Sequence, residues 1–161
     1  MSKHLYKPEE FLINTFADLL VGVSHVAVGA LSPIPGCAAL LMQELAKKKG
    51  KDHVQVSIIH GDSNNPFTDG GRELFDCAGQ GRIGAFFLGG AEIDGEANLN
   101  LLGVGEYPEL DKRFPGSFGS AFVYFVIPRI ILFAPEHSKR VLVERVKFIS
   151  APGTSPPEVC R

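Results

Sequence analysis

Apolar positions recur along the first half of the chain in two alternating rhythms. From Pro8 to Leu20 the stripe Leu12, Phe16, Leu19 and Leu20 keeps the helical period, with Pro8 at a first-turn position and Glu9 and Glu10 where the positive end of a helix dipole favours them. His25 to Ala30 is short, β-branched and apolar, and it runs into Gly29 and the turn "SPIPG", as a buried strand feeding a loop does. A second helix is predicted from Gly36, with Ala38, Leu41, Met42 and Leu45 at i, i+3, i+4 and i+7. Lys47 to Lys49 and Gly50 close it, the lysines complementing the negative end of its dipole. Val54 to Ile59 is a second strand, Gly61 to Gly71 a loop rich in Asp, Asn, Pro and Gly, Arg72 to Gln80 a short helix, and Ile83 to Leu88 a third strand.

Strands that alternate with helices, and are apolar almost without interruption, predict an α/β fold with an open, mostly parallel sheet flanked by helices. Ligands of such sheets bind beyond the carboxyl ends of the strands. Those ends are the loops Ser32 to Gly36, His60 to Gly71 and Gly89 to Asp94. After Asp94 the pattern becomes irregular, and two further strands are predicted, around Ile130 to Phe133 and from Val141 to Ile149. The reading is one domain over residues 1–153 and a polar, proline-rich tail over 154–161.

Composition narrows the partners. The chain has 161 residues, 45% hydrophobic and 21% charged, which is ordinary for a globular protein. A net charge of −2 and one short basic run, Lys47-Lys48-Lys49, argue against a nucleic-acid footprint. No stretch approaches the roughly 18 apolar residues of a membrane helix, and Met1 to Glu10 lacks the apolar core of a signal peptide, so no membrane partner and a cytoplasmic location are expected. Cys37, Cys77 and Cys160 are odd in number and far apart, which suits neither disulfides nor zinc. Cys37 and Cys77, in apolar helical patterns, are expected as small buried hydrophobes. Neither a metal nor a tightly bound cofactor is expected.

"GQGRIG", Gly79 to Gly84, spells a dinucleotide-binding fingerprint. The fingerprint needs a strand before it and a helix after it. Here the order is reversed, and helix-ending glycines explain the letters better. Two loops retain chemical interest. "SPIPG" enters a helix whose free N–H groups suit an anion or a carbonyl oxygen. "PGSFGSA", Pro115 to Ala121, suits exposed backbone N–H groups that cradle a thioester oxygen, although each loop also reads as an ordinary glycine turn.

The order of the later pieces carries a resemblance. "GRIGAFFLGGAEIDGEANLNLLGVGEY", "RFPGSFGSA" and "PRIILFAPEHSKRVLVERVKFISAPG" resemble the B (beta) subunits of family I CoA-transferases, above all the glutaconate type, and also the related ring-cleaving CoA hydrolases. The matching residues are Ile93-Asp94, Asn98, Asn100, Gly105-Glu106-Tyr107, Pro115-Gly116, His137, Arg140, Val143, Glu144, Val146 and Phe148. The resemblance covers roughly residues 10 to 153. It implies the α/β CoA-transferase family I fold, an A (alpha) subunit as partner, an acyl-CoA thioester as substrate, a carboxylic acid as acceptor, and CoA-binding roles for Gly116, Ser117, Gly119, Asn98 and Asn100. Three departures stand out: Ala97 replaces the glycine of the family's Gly-Asn-x-Asn, Phe118-Gly119 replaces a double glycine, and related subunits continue past Gly153, so the chain reads as lacking their C-terminal part.

The fourth departure concerns chemistry. "SIIHGDSNNPF", Ser57 to Phe67, falls where the family's beta subunits carry a nucleophilic glutamate, which attacks the thioester and splits one hard exchange into easier steps. No glutamate lies between Glu44 and Glu73, and His60 or Asp62 takes its place. Asp62 is a methylene shorter, and a displacement of about 1 Å can cost on the order of 10²-fold. His60 suits general-base attack by water, which would make a hydrolase. The plainer alternative is that His60 ends the strand and Asp62 makes an Asx-turn. In the hydrolase relatives the resemblance implies an acidic residue from the partner subunit, with this chain as a wall of the site. A truncated, non-catalytic scaffold is the remaining reading, and its mark would be an exposed apolar face.

Overall fold

The computed structural model describes residues 6–51, 53–61, 63–68 and 71–154. Asp62, Cys160 and the tail beyond Thr154 lie outside them. The chain packs as two compact units, Met1–Phe87 and Leu88–Arg161.

The first unit follows the predicted alternation: α1 (Pro8–Leu19), β1 (His25–Val28), α2 (Pro33–Lys48), β2 (Gln55–Ile58), α3 (Gly71–Gly79) and β3 (Ala85–Leu88). β1 lies between β2 and β3, and both pairings are parallel. All four residues of β1 are buried, because helices cover both faces of the sheet. Val26 and Val28, in register with Val56 and Ile58, face α1 and α2. There Phe16 meets Phe87 with ring centroids 5.4 Å apart, and a Cβ at Gly36 would stand 3.6 Å from Ile58 Cδ1. His25 and Gln55 face the other way, into a hollow they share with Glu73, Asp76 and Cys77 of α3.

Three details of the prediction change. α2 begins at Pro33, since Pro33 and Pro35 occupy first-turn positions whose N–H groups a helix leaves unused. Its buried side is Pro35, Gly36, Ala38, Ala39 and Met42. Small residues let this side approach the sheet, so the buried arc turns away from Leu45, which is exposed, as is Leu19 of α1. Cys37 projects from the opposite side of α2 and is exposed, and Cys77 is half-buried, so neither is the buried hydrophobe expected. α3 ends at Gly79 and Gly81 takes φ +69°, so the glycines of "GQGRIG" do lie between a helix and the strand after it.

The second unit is built from short pieces: β4 (Glu92–Ile93), β5 (Leu99–Asn100), β6 (Gly103–Gly105), β7 (Leu110–Arg113), α4 (Ser120–Val126) and β8 (Arg129–Leu132). β4 pairs antiparallel with β5, and β6 with β7, with an irregularity between Val104 and Gly105. Ile93, Leu99, Ala134 and Ala151 form its buried cluster, with Leu101, Tyr124 and Leu132 packed against it. The strand expected over Val141 to Ile149 does not form. That segment makes single bridges, Ile93 with Leu142 and, further on, Leu99 with Ala151. The N–H groups of Val146 and Lys147 bond to side-chain carboxylates, which takes them out of any β-ladder. Among the described residues, no helix is long and apolar enough to cross a membrane.

A polar pin joins the strands of the first unit. His25 Nδ1 lies 3.0 Å from the Arg82 carbonyl, which only accepts, so Nδ1 carries the proton and Nε2 accepts from the Ser57 hydroxyl at 2.8 Å. Burial pushes the His25 pKa below the ordinary 6.5; the carbonyl of Arg82 opposes the shift and its guanidinium adds to it. The unfolded chain therefore binds this proton more readily than the folded one. Stability from this site is whole above the ordinary 6.5 and falls as pH drops below it. Urea midpoints of the native chain should fall between neutral pH and about pH 5, and His25→Gln should show a shallower fall.

Candidate active site at the carboxyl edge of the parallel strands

β1 and β2 are neighbours and parallel, so the loops leaving them emerge side by side. The Ile59 N–H donates to the Val28 carbonyl at 3.0 Å, tying the second loop to the end of β1. Each loop holds a non-glycine residue in the left-handed region, Leu31 at φ 55° and His60 at φ 60°. Both side chains are exposed, Leu31 completely. Such conformations cost an L-residue energy and collect at functional sites. The turn at His60 is closed on both sides: Gly61 N–H bonds the Ile58 carbonyl at 3.0 Å, and Ile58 N–H bonds the Asn64 carbonyl at 2.8 Å. His60 thus stands on a fixed turn rather than a slack one. Asp62, the other candidate, lies outside the described residues.

The start of α2, beside these loops in sequence, offers less than predicted. Pro33 and Pro35 have no N–H, and Gly36 N–H already bonds the Ser32 carbonyl at 2.9 Å. Ile34 is left as the one residue of Pro33–Pro35 with an N–H, so this terminus is a poor anion cradle.

In the second unit, Asn98 and Asn100 are almost wholly buried. Asn98 Nδ2 donates to Asp94 Oδ2 at 3.1 Å, and Asn98 Oδ1 accepts from Gly153 N–H at 2.9 Å. Asn100 Nδ2 donates to Glu92 Oε2 at 2.8 Å and to the Gly103 carbonyl at 2.8 Å, while its Oδ1 accepts from Leu102 N–H at 3.0 Å. Asp94 accepts from the backbone of Glu96, Asn98 and Val146 as well. Burial alone would raise its pKa, but the hydrogen bonds from Asn98, Val146 and Glu96 outweigh it and hold the carboxyl below its ordinary value. Sequence reasoning missed this role for the acids, although the closely spaced Glu92, Asp94, Asn98 and Asn100 carried the signal.

Ala97, at the position of the family's glycine, takes φ 61°. That is a backbone conformation which glycine adopts without strain and alanine does not. Gly153 packs so close that a Cβ there would overlap the backbone of Glu96 and Ala97. Of the loop Pro115 to Ala121, Gly119 precedes α4 at φ 68°, the Ser117 carbonyl accepts from the Ser120 hydroxyl at 3.3 Å, and a Cβ at Gly116 would stand 3.2 Å from the Leu101 carbonyl. Phe118, Phe122 and Phe125 are exposed. Two further stretches that carried the resemblance meet here: Lys147 Nζ and Glu106 Oε1 are 2.6 Å apart, and the Tyr107 and Phe148 rings are 5.2 Å apart. Among the described residues, no three His, Cys, Asp or Glu side chains group as metal ligands would.

Parallel strands covered on both faces define an α/β architecture, and the strained, exposed residues lie at the carboxyl edge where ligands of such sheets bind. A family model, Coenzyme A transferase, matches residues 8–159, and the chain belongs to that family. It is 33% identical over 67 residues to the beta subunit of glutaconate CoA-transferase from Acidaminococcus fermentans, a span of 42% of this chain and 24% of that protein. With the beta subunit of 3-oxoadipate CoA-transferase from Pseudomonas knackmussii it shares 30% over 73 residues, 45% of this chain and 28% of the other. The matched spans thus cover about a quarter of the length of these curated relatives. Its fold is similar to the solved decarboxylase AibA/AibB, with a TM-score of 0.74 and 24% identity over 91% of this chain and 67% of the other.

Two substitutions probe the buried turn. Asp94→Ala should lower unfolding free energy by on the order of 3 kcal/mol, since several buried N–H groups lose a charged acceptor. The folded pKa is depressed, so the native stabilisation is whole above the ordinary 3.8 and disappears as acid protonates the folded carboxyl. Ala97→Gly should raise the denaturation midpoint, by about 1 kcal/mol in stability, because it relieves a left-handed alanine.

Proposed function

We propose that the chain is the beta-type component of an enzyme that acts on an acyl-CoA thioester together with an alpha-type subunit. Support comes from the family match over residues 8–159 and from relatives described as beta subunits. The neighbour AibA/AibB is itself named as a pair. Gly116, Ser117 and Gly119 then receive part of the CoA, while Asn98 and Asn100, buried and hydrogen-bonded, act by holding the turn Asp94–Asn100 in shape.

The observation that carries the chemistry is His60 on its fixed, exposed turn in a segment that has no glutamate between Glu44 and Glu73. We read His60 as a general base. The imidazole takes a proton from water as the water oxygen bonds to the thioester carbonyl carbon; the C–S bond then breaks, and the imidazolium returns the proton to the departing thiolate, giving the free acid and CoA. Hydrolysis, or cleavage of a C–C bond in the acyl part, then replaces exchange between acids. A solved protein of similar fold is named a decarboxylase, which is work other than CoA transfer. If Asp62 instead serves as nucleophile, its carboxylate displaces the CoA thiolate to form a mixed anhydride, and the thiolate reopens that anhydride to give an aspartyl-CoA thioester and the free donor acid. An acceptor carboxylic acid then takes over the CoA by the same steps in reverse.

The chain should be co-purified with its alpha-type subunit and given a panel of acyl-CoAs in the presence of labelled acids. Thioester loss to water, reduced about 10²-fold or more by His60→Asn, whose side chain tolerates the left-handed turn, without a change in melting temperature, is the expected result. Label transfer into acyl-CoA, abolished by Asp62→Ala and not by His60→Asn, would refute the base and establish transfer. An intact complex inert towards the whole panel would leave a scaffold, for which the exposed Phe118, Phe122 and Phe125 speak.

A further inference from the structure

The first unit has a second hollow at the opposite, amino edge of its strands. Its volume is about 390 Å³, within the range of small-molecule sites. Val23 and Ser24, just before β1, and His53 and Val54, just before β2, line it together with the ends of α1 and α2. His60 follows β2, so this hollow and the candidate active site occupy opposite ends of the same strand.

Its walls are apolar. Ala17, Val23, Met42 and Val54 are buried behind it, and Val21 and Leu45 flank it with large exposed surfaces. Small side chains at Ala17, Gly22 and Ala46 leave the space open. One side of the mouth is cationic: Lys49 and Lys51 line it beside His53, against the single acid Asp18 among the described lining residues. Helix C-termini ordinarily present bare carbonyls that repel anions. Here Lys51 N–H bonds the Ala46 carbonyl at 3.0 Å and Gly50 N–H the Lys47 carbonyl at 2.9 Å, with Gly50 at φ +74°. This is the glycine-terminated Schellman closure, which occupies those carbonyls and carries the chain round so that Lys49 and Lys51 both border the hollow.

We propose that this hollow binds an apolar monocarboxylate, its chain against Met42, Val54 and Leu45 and its carboxylate at Lys49 and Lys51. An apolar floor with a cationic rim selects for an amphiphile of that polarity; a neutral ligand would leave the lysines unused, and a cation would meet them. Exposed ammonium groups give modest energy singly, so the apolar floor supplies most of the affinity and the lysines the choice of head group. The site is independent of the chemistry proposed at His60, and its readout is binding rather than turnover.

Calorimetric titration of the purified full chain with octanoate, octan-1-ol and octylammonium tests it. Octanoate should bind saturably at one site, with octylammonium about tenfold weaker or worse. The double variant Lys49→Glu, Lys51→Glu should abolish the preference for octanoate while leaving thermal unfolding in place. Ala46→Phe, which fills the hollow, should block all three ligands, and Leu45→Ser, which removes floor without adding bulk, should weaken all three. Equal affinity for octanoate and octylammonium overturns the proposal, as does binding untouched by the lysine reversal, or no binding up to millimolar octanoate. Burial of the same face between two copies of the chain, seen as a dimer that Val21→Lys dissociates, overturns it as well.

Discussion

A carboxylate removed from water needs donors, and the second unit is arranged around that requirement. Glu92 and Asp94 are both buried, and each accepts from an asparagine amide nearby and from a backbone N–H more than fifty residues further on, Lys147 and Val146. The short strands β4 and β5 could not by themselves order a chain of this length, since two-residue pairings bury little. The acids do it by charge-assisted bonds, which are about twice as strong as neutral ones and expensive to leave half made. Ile93, Leu99, Ala134 and Ala151 then close a small apolar cluster beside them.

The first unit solves the same problem by layering. Strands whose side chains are buried on both faces need few polar ties, and at the buried tie His25 to Ser57 burial pushes the histidine's pKa down. Beyond the neighbouring parallel termini of β1 and β2, Leu31 and His60 hold left-handed conformations. Rigid strands with strained tips are the usual means by which α/β proteins present reactive groups.

The contrast explains what could be read from the residues. The first unit was legible because its elements are long relative to the periods that reveal them; α1, β1, α2, β2, α3 and β3 all occur where the pattern put them, within a few residues. Leu19, Leu45 and Cys37 were misplaced because period alone does not say how closely a helix approaches its sheet, and the small face of α2 won over the large one. β4 to β7 are two to four residues long and leave no period to detect. Val141 to Ile149 alternates like a strand, yet its N–H groups answer to acids far away in sequence, which no local rule registers. His60 was singled out by its place at the end of a strand and by the glutamate missing around it. Its conformation was not legible, and neither was the hollow at Lys49 and Lys51, which arises only when the ends of two helices and two strands meet.

The turn at His60 also bears on how this position can change over generations. A left-handed residue is tolerated best when it is glycine, asparagine, aspartate or histidine, and least when its side chain is bulky or β-branched. Backbone geometry therefore filters the substitutions available there before chemistry is consulted. Histidine is one of few side chains that satisfies the filter and still handles protons near neutrality. The menu at this turn is short, and a glutamate placed at residue 60 would ask the loop to change its shape along with its residue.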